Sequence, residues 1–196
     1  MSLRVDYCSH KAAKFACENW HYSETIPPIK NVTFGVWEDG DYIGAVVYSR
    51  GVNGNIGSFV GLNQETAVEL TRVALTDHKA PVSQIVSYTI DMLSEKDDGL
   101  KLLVSYADPA QGHHGGIYQA MNWTYIGDTE PGTVLVDSDG NKVHSRTLNM
   151  AKSNDYSTKD EYESLERKRV PGKHKYVYPL TKEIKRKVKD MAKPYP

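Results

Sequence analysis

Val68-Glu-Leu-Thr-Arg-Val-Ala-Leu-Thr76 runs through the loop Asp77-His-Lys-Ala80 into Pro81 and then Val82, Ile85, Val86, Thr89, Ile90 and Leu93. The first stretch has the β-branched content of a buried strand. The second repeats apolar residues at i, i+3, i+4 and i+7, the spacing of an amphipathic helix. Pro81 suits the start of that helix, where its missing N–H would have no intrahelical partner, and Gly99 marks the end. A strand that leads through a short loop into a long helix is the unit around which the other segments arrange.

Upstream, Leu3-Arg-Val-Asp-Tyr7 alternates apolar and polar residues and predicts a first strand. Ser9 can cap a helix whose apolar face is Ala12, Ala13, Ala16, Cys17 and Trp20, and which stops near His21-Tyr22-Ser23 ahead of Pro27 and Pro28. Val32 to Trp37 and Tyr42 to Tyr48 flank Asp39-Gly40, a pair that favours a tight hairpin turn. Arg50 to Leu62, rich in Gly and Asn, predicts a loop. Downstream, Leu100 to Ala107 predicts a buried strand ending at Asp108-Pro109, Gly116 to Met121 a short helix and Trp123 to Gly127 a strand. Val134 to Val136 and Lys142 to Asn149, joined through Asp137 to Gly140, predict a last hairpin. Residues 152–166 are polar and predict a linker, with Lys182 to Met191 a helix beyond it. The expected organisation is an α/β catalytic domain over residues 1–151 and a linker with a basic extension over 152–196.

The chain has 196 residues and a net charge of only −1, which hides a segregation. From Arg167 to Pro196 there are 11 Lys plus Arg against 2 Asp plus Glu, a net of +9, while the remainder holds 13 against 23, a net of −10. Such a tail suits a polyanionic partner. Arg167, Lys168, Arg169, Lys173 and Lys175 would contact phosphates, with Tyr176 and Tyr178 interleaved among them. The competing reading is a basic helix docked on the protein's own acidic body. No apolar run reaches the roughly 18 residues of a membrane span and the first residues lack a signal core, so the host cytoplasm is the expected location. Cys8 and Cys17 read as reduced thiols.

The order strand, helix, hairpin, strand, long helix, strand, short helix, strand resembles the N-acetyltransferase (GNAT) fold. This resemblance implies a central mixed sheet flanked by helices. In that family a strand splays from its neighbour to admit pantetheine, and the next helix offers N–H groups to the cofactor pyrophosphate. It therefore implies acetyl-CoA or a related small donor, with Val73 and Leu75 on the strand and Lys79 and Ser83 at the helix start. The loop Asp77 to Ser83 departs from the family in lacking its glycines. Gly116-Ile-Tyr-Gln-Ala-Met-Asn-Trp123 looks like the family's segment with a general-acid tyrosine, which falls on Tyr118.

A closer resemblance rests on His21-Tyr-Ser23, on Arg72 to His78, and above all on Val104-Ser-Tyr-Ala-Asp-Pro-Ala-Gln-Gly-His-His-Gly-Gly-Ile-Tyr118. These look like the Mom proteins of phages, and the resemblance implies methylcarbamoylation of adenine N6 that shields DNA from restriction. Carried over with it are Tyr22, Asp108 and Tyr118 as catalytic residues, with His21 beside them. Each has a plain structural alternative: Asp108 can cap its loop through an Asx turn, and Tyr118 can be a buried packing residue. Glu69 is a second candidate base. His21, His113 and His114 with Asp108 leave a metal, iron included, as an open alternative. A conventional N-acetyltransferase and a non-catalytic DNA-binding protein are the competing functions, and oligomeric state stays open.

Overall fold

The computed structural model describes residues 2–51, 55–138, 140, 142–143 and 165–196, in two compact units. The first unit comprises Met1–Ala107, His114–Gly127 and His174–Pro196, and the second comprises Asp108–His113 and Asp128–Lys173.

In the first unit, β1 (Leu3–Tyr7) leads to α1 (His10–Trp20), whose first turn is capped by Ser9 Oγ accepting from Ala12 N at 3.2 Å. β2 (Asn31–Glu38) and β3 (Asp41–Ser49) form the expected hairpin, with positive φ at Asp39 and Gly40. Then come β4 (Ala67–Leu75), α2 (Val82–Lys96), β5 (Leu102–Ala107), α3 (Gly116–Ala120) and β6 (Thr124–Asp128).

The second unit holds a small sheet in which β7 (Gly132–Val136) lies between β8 (Lys142–Val143) and β9 (Glu166–Val170). The expected hairpin after residue 136 begins as β7 and β8, while its residues 144–149 lie outside the described residues, as does most of the expected linker. The chain then re-enters the first unit with β10 (His174–Pro179) and closes with α4 (Lys182–Lys189).

The large sheet has the order β1-β2-β3-β4-β5-β10-β6. β4 and β5 are parallel, and β10 runs antiparallel to β5 from His174 opposite Ala107 to Pro179 opposite Leu102. An extension beginning at residue 152 is therefore not the arrangement found. Residues 174–179 sit inside the central sheet, between β5 and β6, because His-Lys-Tyr-Val-Tyr supplies the β-branched and aromatic residues that a buried strand packs.

Strand alternation sorts the core onto two faces. Phe34, Val46, Tyr48 and Leu103 meet Ile85, Val86, Ile90 and Leu93 of α2. Across the sheet, Ala45 and Val47 meet Ala13, Ala16 and Cys17 of α1, while Leu102, Val104 and Val177 meet Ile184 and Val188 of α4. The basic terminal helix is thus docked on its own body through Ile184 and Val188, with its lysines outward. That is the competing reading of the tail, realised for α4. Cys8 and Cys17 are free thiols, and burial pushes both up from the usual thiol range. Among the described residues no helix is long and apolar enough to cross a membrane.

Candidate active site

β4 and β5 are paired only through Ala67, Val68 and Glu69, opposite Leu102, Leu103 and Val104. Just beyond, β4 carries a bulge. Val47 of β3 faces Arg72 and Tyr48 faces Leu70, so Thr71 is an extra residue, and its hydroxyl donates to Val47 O at 2.9 Å. A bulge bends its strand and ends regular pairing. Here it sits where β4 leaves β5, and the strands open from Leu70 onward. Val73 and Leu75, expected to line a donor slot, lie on this diverging half of β4.

Ser105 occupies the opening. Its Oγ is 2.8 Å from Leu70 O and 2.7 Å from Tyr118 Oη. Ser105 is the donor toward both oxygens, and since a hydroxyl has one proton the two acceptors share it, which leaves the Tyr118 phenol its own proton. The carbonyl that loses its strand partner is thus satisfied by a side chain, and the phenol of α3 is tied to the point of divergence. Tyr118 is buried, and burial above all pushes its phenol up to about 12, with Tyr22, Glu69 and Tyr176 adding to the effect and the Ser105 hydrogen bond opposing it. At neutral pH it is a proton donor. Burial above all pushes Tyr106 up to about 12, and Glu69, the last β4 residue in register with β5, adds to the effect.

His21 and Tyr22 follow α1, with their rings 4.3 Å apart, and Tyr22 is 49% exposed. Ser23 N donates to His21 Nδ1 at 3.1 Å, which places the imidazole proton on Nε2. Arg72 holds this segment to β4, with Nε donating to Thr25 O at 3.0 Å and Nη1 to Thr71 O at 2.7 Å. The bulge and the Tyr22 segment therefore share one anchor. Arg72 and Ser105 are positioning residues absent from the sequence-based set. Both stand inside the segments that carry the family resemblance, but neither has a spacing that marks its role.

Tyr176, expected on DNA, is fully buried instead. Its ring packs 5.1 Å from Tyr118 and its hydroxyl donates to His114 O at 2.6 Å. Gly115, at φ +79, allows this approach, since a Cβ there would collide with the Tyr176 ring. Tyr178 packs on Trp123, and Lys175 lies 3.8 Å over the Phe59 ring, where burial lowers its affinity for a proton. Three residues of the expected DNA set thus serve the body, because β10 is a central strand.

In the second unit, Asp108 is 8% exposed. Its Oδ1 accepts from Ala110 N at 3.0 Å, capping the turn Pro109–Gln111, and Oδ2 lies 3.4 Å from Lys173 Nζ. The Asx-type cap anticipated as the structural alternative is present, and Lys173 is its ion-pair partner. Arg167, Lys168 and Arg169 are exposed on β9. Among the described residues no group of three His, Cys, Asp or Glu side chains is arranged to hold a metal, so His21, His113, His114 and Asp108 do not form one.

The fit to a coenzyme A type donor divides in two. The opening between β4 and β5 suits an extended arm. The loop ahead of α2 does not suit a pyrophosphate, because the N–H groups of Lys79 and Ala80 are donated to the Glu38 carboxylate and Pro81 has none, which leaves those of Val82 and Ser83 in the first turn.

Solved structures similar to this chain show its fold. An N-acetyltransferase from Staphylococcus aureus Mu50 superposes with a TM-score of 0.53 at 11% identity, over 92% of this chain and 99% of that one. The ribosomal-protein-S18-alanine N-acetyltransferase of Escherichia coli gives 0.51 at 8% identity, over 92% and 95%. The chain has the GNAT fold. In sequence, it is 28% identical over 154 residues to the methylcarbamoylase Mom of Escherichia phage Mu, across 76% of this chain and 63% of that protein. The aligned region thus spans less than two thirds of that relative's length. The sequence profile of the Mom protein family matches residues 2–196, and with the GNAT fold and the tyrosine held at the β4–β5 opening, the chain belongs to the Mom protein family.

Proposed function

We propose that this protein is a transferase that modifies adenine N6 in double-stranded DNA with a methylcarbamoyl-type group and so shields phage DNA from restriction in the host cytoplasm. The observation that carries the reading is the Tyr118–Ser105–Leu70 chain at the point where β4 leaves β5, in a member of the Mom family. A buried phenol held protonated there can give its proton to the leaving group of an acyl-type donor. Adenine N6 is a weak nucleophile and stacked in duplex DNA, so the base must leave the helix before it can react. In this reading the N6–carbon bond forms as the donor's bond to its leaving group breaks. The departing group takes the Tyr118 proton, and the N6 proton passes to a carboxylate, for which Glu69 of the same unit is the candidate. Tyr22, half-exposed beside His21, offers a ring on which the base can stack. Arg167, Lys168 and Arg169 supply phosphate contacts.

Mass spectrometry of nucleosides from DNA of cells expressing the protein tests this. A new adenosine adduct, absent with Tyr118→Phe, is the expected result. Unchanged nucleosides from cells with abundant folded protein would refute the proposal.

A further inference from the structure

The β2–β3 hairpin ends beside the loop that starts α2, and its last β2 residue, Glu38, is buried with its carboxylate on that loop. Glu38 Oε1 accepts from Ala80 N at 2.8 Å and Lys79 N at 3.2 Å, and Oε2 accepts from Lys79 N at 3.0 Å. Pro81 follows and has no N–H. Three successive positions ahead of the helix therefore offer no backbone donor to a ligand. The chain's own anion already takes the place that favours negative charge at a helix start.

We infer that Glu38 is a specificity determinant that excludes a diphosphate from the start of α2, so that the donor is a small acyl-type compound held by the β4–β5 opening rather than by a diphosphate anchor. A second anion brought to Lys79 and Ala80 would meet a buried carboxylate and lack hydrogen bonds, both unfavourable. The loop's missing glycines agree, since without them the backbone has no reason to approach a phosphate closely. The donor's role rests on the transferase reading above, whereas the exclusion does not. Its test therefore reads binding alone, with no DNA present.

Calorimetry on the full chain compares acetyl-CoA with S-acetylpantetheine, which lacks the diphosphate. The wild type should bind acetyl-CoA no more than about threefold more tightly than the fragment, or neither compound detectably. Glu38→Gln removes the charge but keeps an acceptor for both N–H groups, and Glu38→Ala frees them. Acetyl-CoA affinity should rise from wild type to Gln to Ala, by about tenfold or more overall, while the fragment is unaffected. Should the Ala variant fail to fold, the Gln variant carries the comparison. The inference is overturned if the wild type prefers acetyl-CoA by about tenfold or more, or if folded variants gain nothing.

Discussion

Lys173 Nζ lies 3.4 Å from Asp108 Oδ2, an ion pair between the residue that follows β5 and the residue that precedes β10. Lys173 was expected on phosphate, yet its ammonium is paired inside its own unit, whereas Arg167, Lys168 and Arg169 are exposed. Exposed cations release counterions on DNA, and a paired one has less to give. The triple change of Arg167, Lys168 and Arg169 to Gln should lower the slope of log affinity against log salt by up to about 2.7, at roughly 0.9 per phosphate. Lys173→Gln should leave the slope near wild type. Equal slopes for the two variants would contradict this assignment.

The Ser105 hydroxyl serves two partners, and the two ends of the chain respond differently to its loss. Tyr118→Phe removes one of the two acceptors of Ser105 and leaves its proton to the Leu70 carbonyl, so it should cost about 0.5–1.5 kcal/mol in denaturant unfolding while abolishing most modification. Ser105→Ala leaves both the phenol and the Leu70 carbonyl unpartnered and should cost about 1–3 kcal/mol. If Ser105→Ala is no more destabilising than Tyr118→Phe, the role of Ser105 as the donor shared by both oxygens is wrong.

The fold was legible wherever local chemistry and burial agree. The 3.6-residue period of Val82 to Leu93, the Asp39-Gly40 turn and the Ser9 cap each determine their element from neighbours in sequence. β10 was not, because its five charged neighbours from Arg167 to Lys175 dominate composition, although Tyr176-Val-Tyr178 carries strand signals. The opening between β4 and β5 depends on a one-residue bulge at Thr71, which no pattern in Val68 to Thr76 marks. Tyr118, named from the family resemblance, stands beside that opening, whereas Ser105 and Arg72 become visible only when distant strands are brought together.

Alkaline pH should expose the buried phenols. Tyr118 and Tyr106 are both raised from an ordinary 10.0 to about 12, chiefly by burial. A group whose folded value is raised holds its proton more tightly when folded, so its stabilising effect is complete below pH 10.0 and is lost as pH rises through about 12. Unfolding free energy should therefore be flat with respect to these groups at neutral pH and fall above pH 10, while tyrosinate absorbance rises. Tyr118→Phe should reduce that fall. If Tyr118→Phe or Tyr106→Phe removes tyrosinate signal that the folded protein shows at the ordinary phenol value, the burial of that phenol is contradicted.

Removal of residues 174–196 should unfold the first unit rather than trim an appendage. β10 fills the sheet between β5 and β6, Tyr176 and Val177 are fully buried, and α4 covers the other face through Ile184 and Val188. Truncation would leave the whole length of β5 as an open edge and Leu102 and Val104 uncovered, a template for aggregation. Tyr176→Ala alone removes a ring packed on Tyr118 and Tyr125, and should cost about 3–5 kcal/mol, comparable with the lower end of total domain stability at about 5 kcal/mol. Gly115→Ala should also destabilise, since it adds a strained φ and a collision with that ring. The triple change on β9, outside this sheet, should leave the unfolding midpoint of the first unit near wild type. Denaturant titration followed by near-UV circular dichroism reads all four proteins. A soluble, cooperatively folded truncation product would show that β10 and α4 are dispensable to the central sheet and would overturn their assignment to its core.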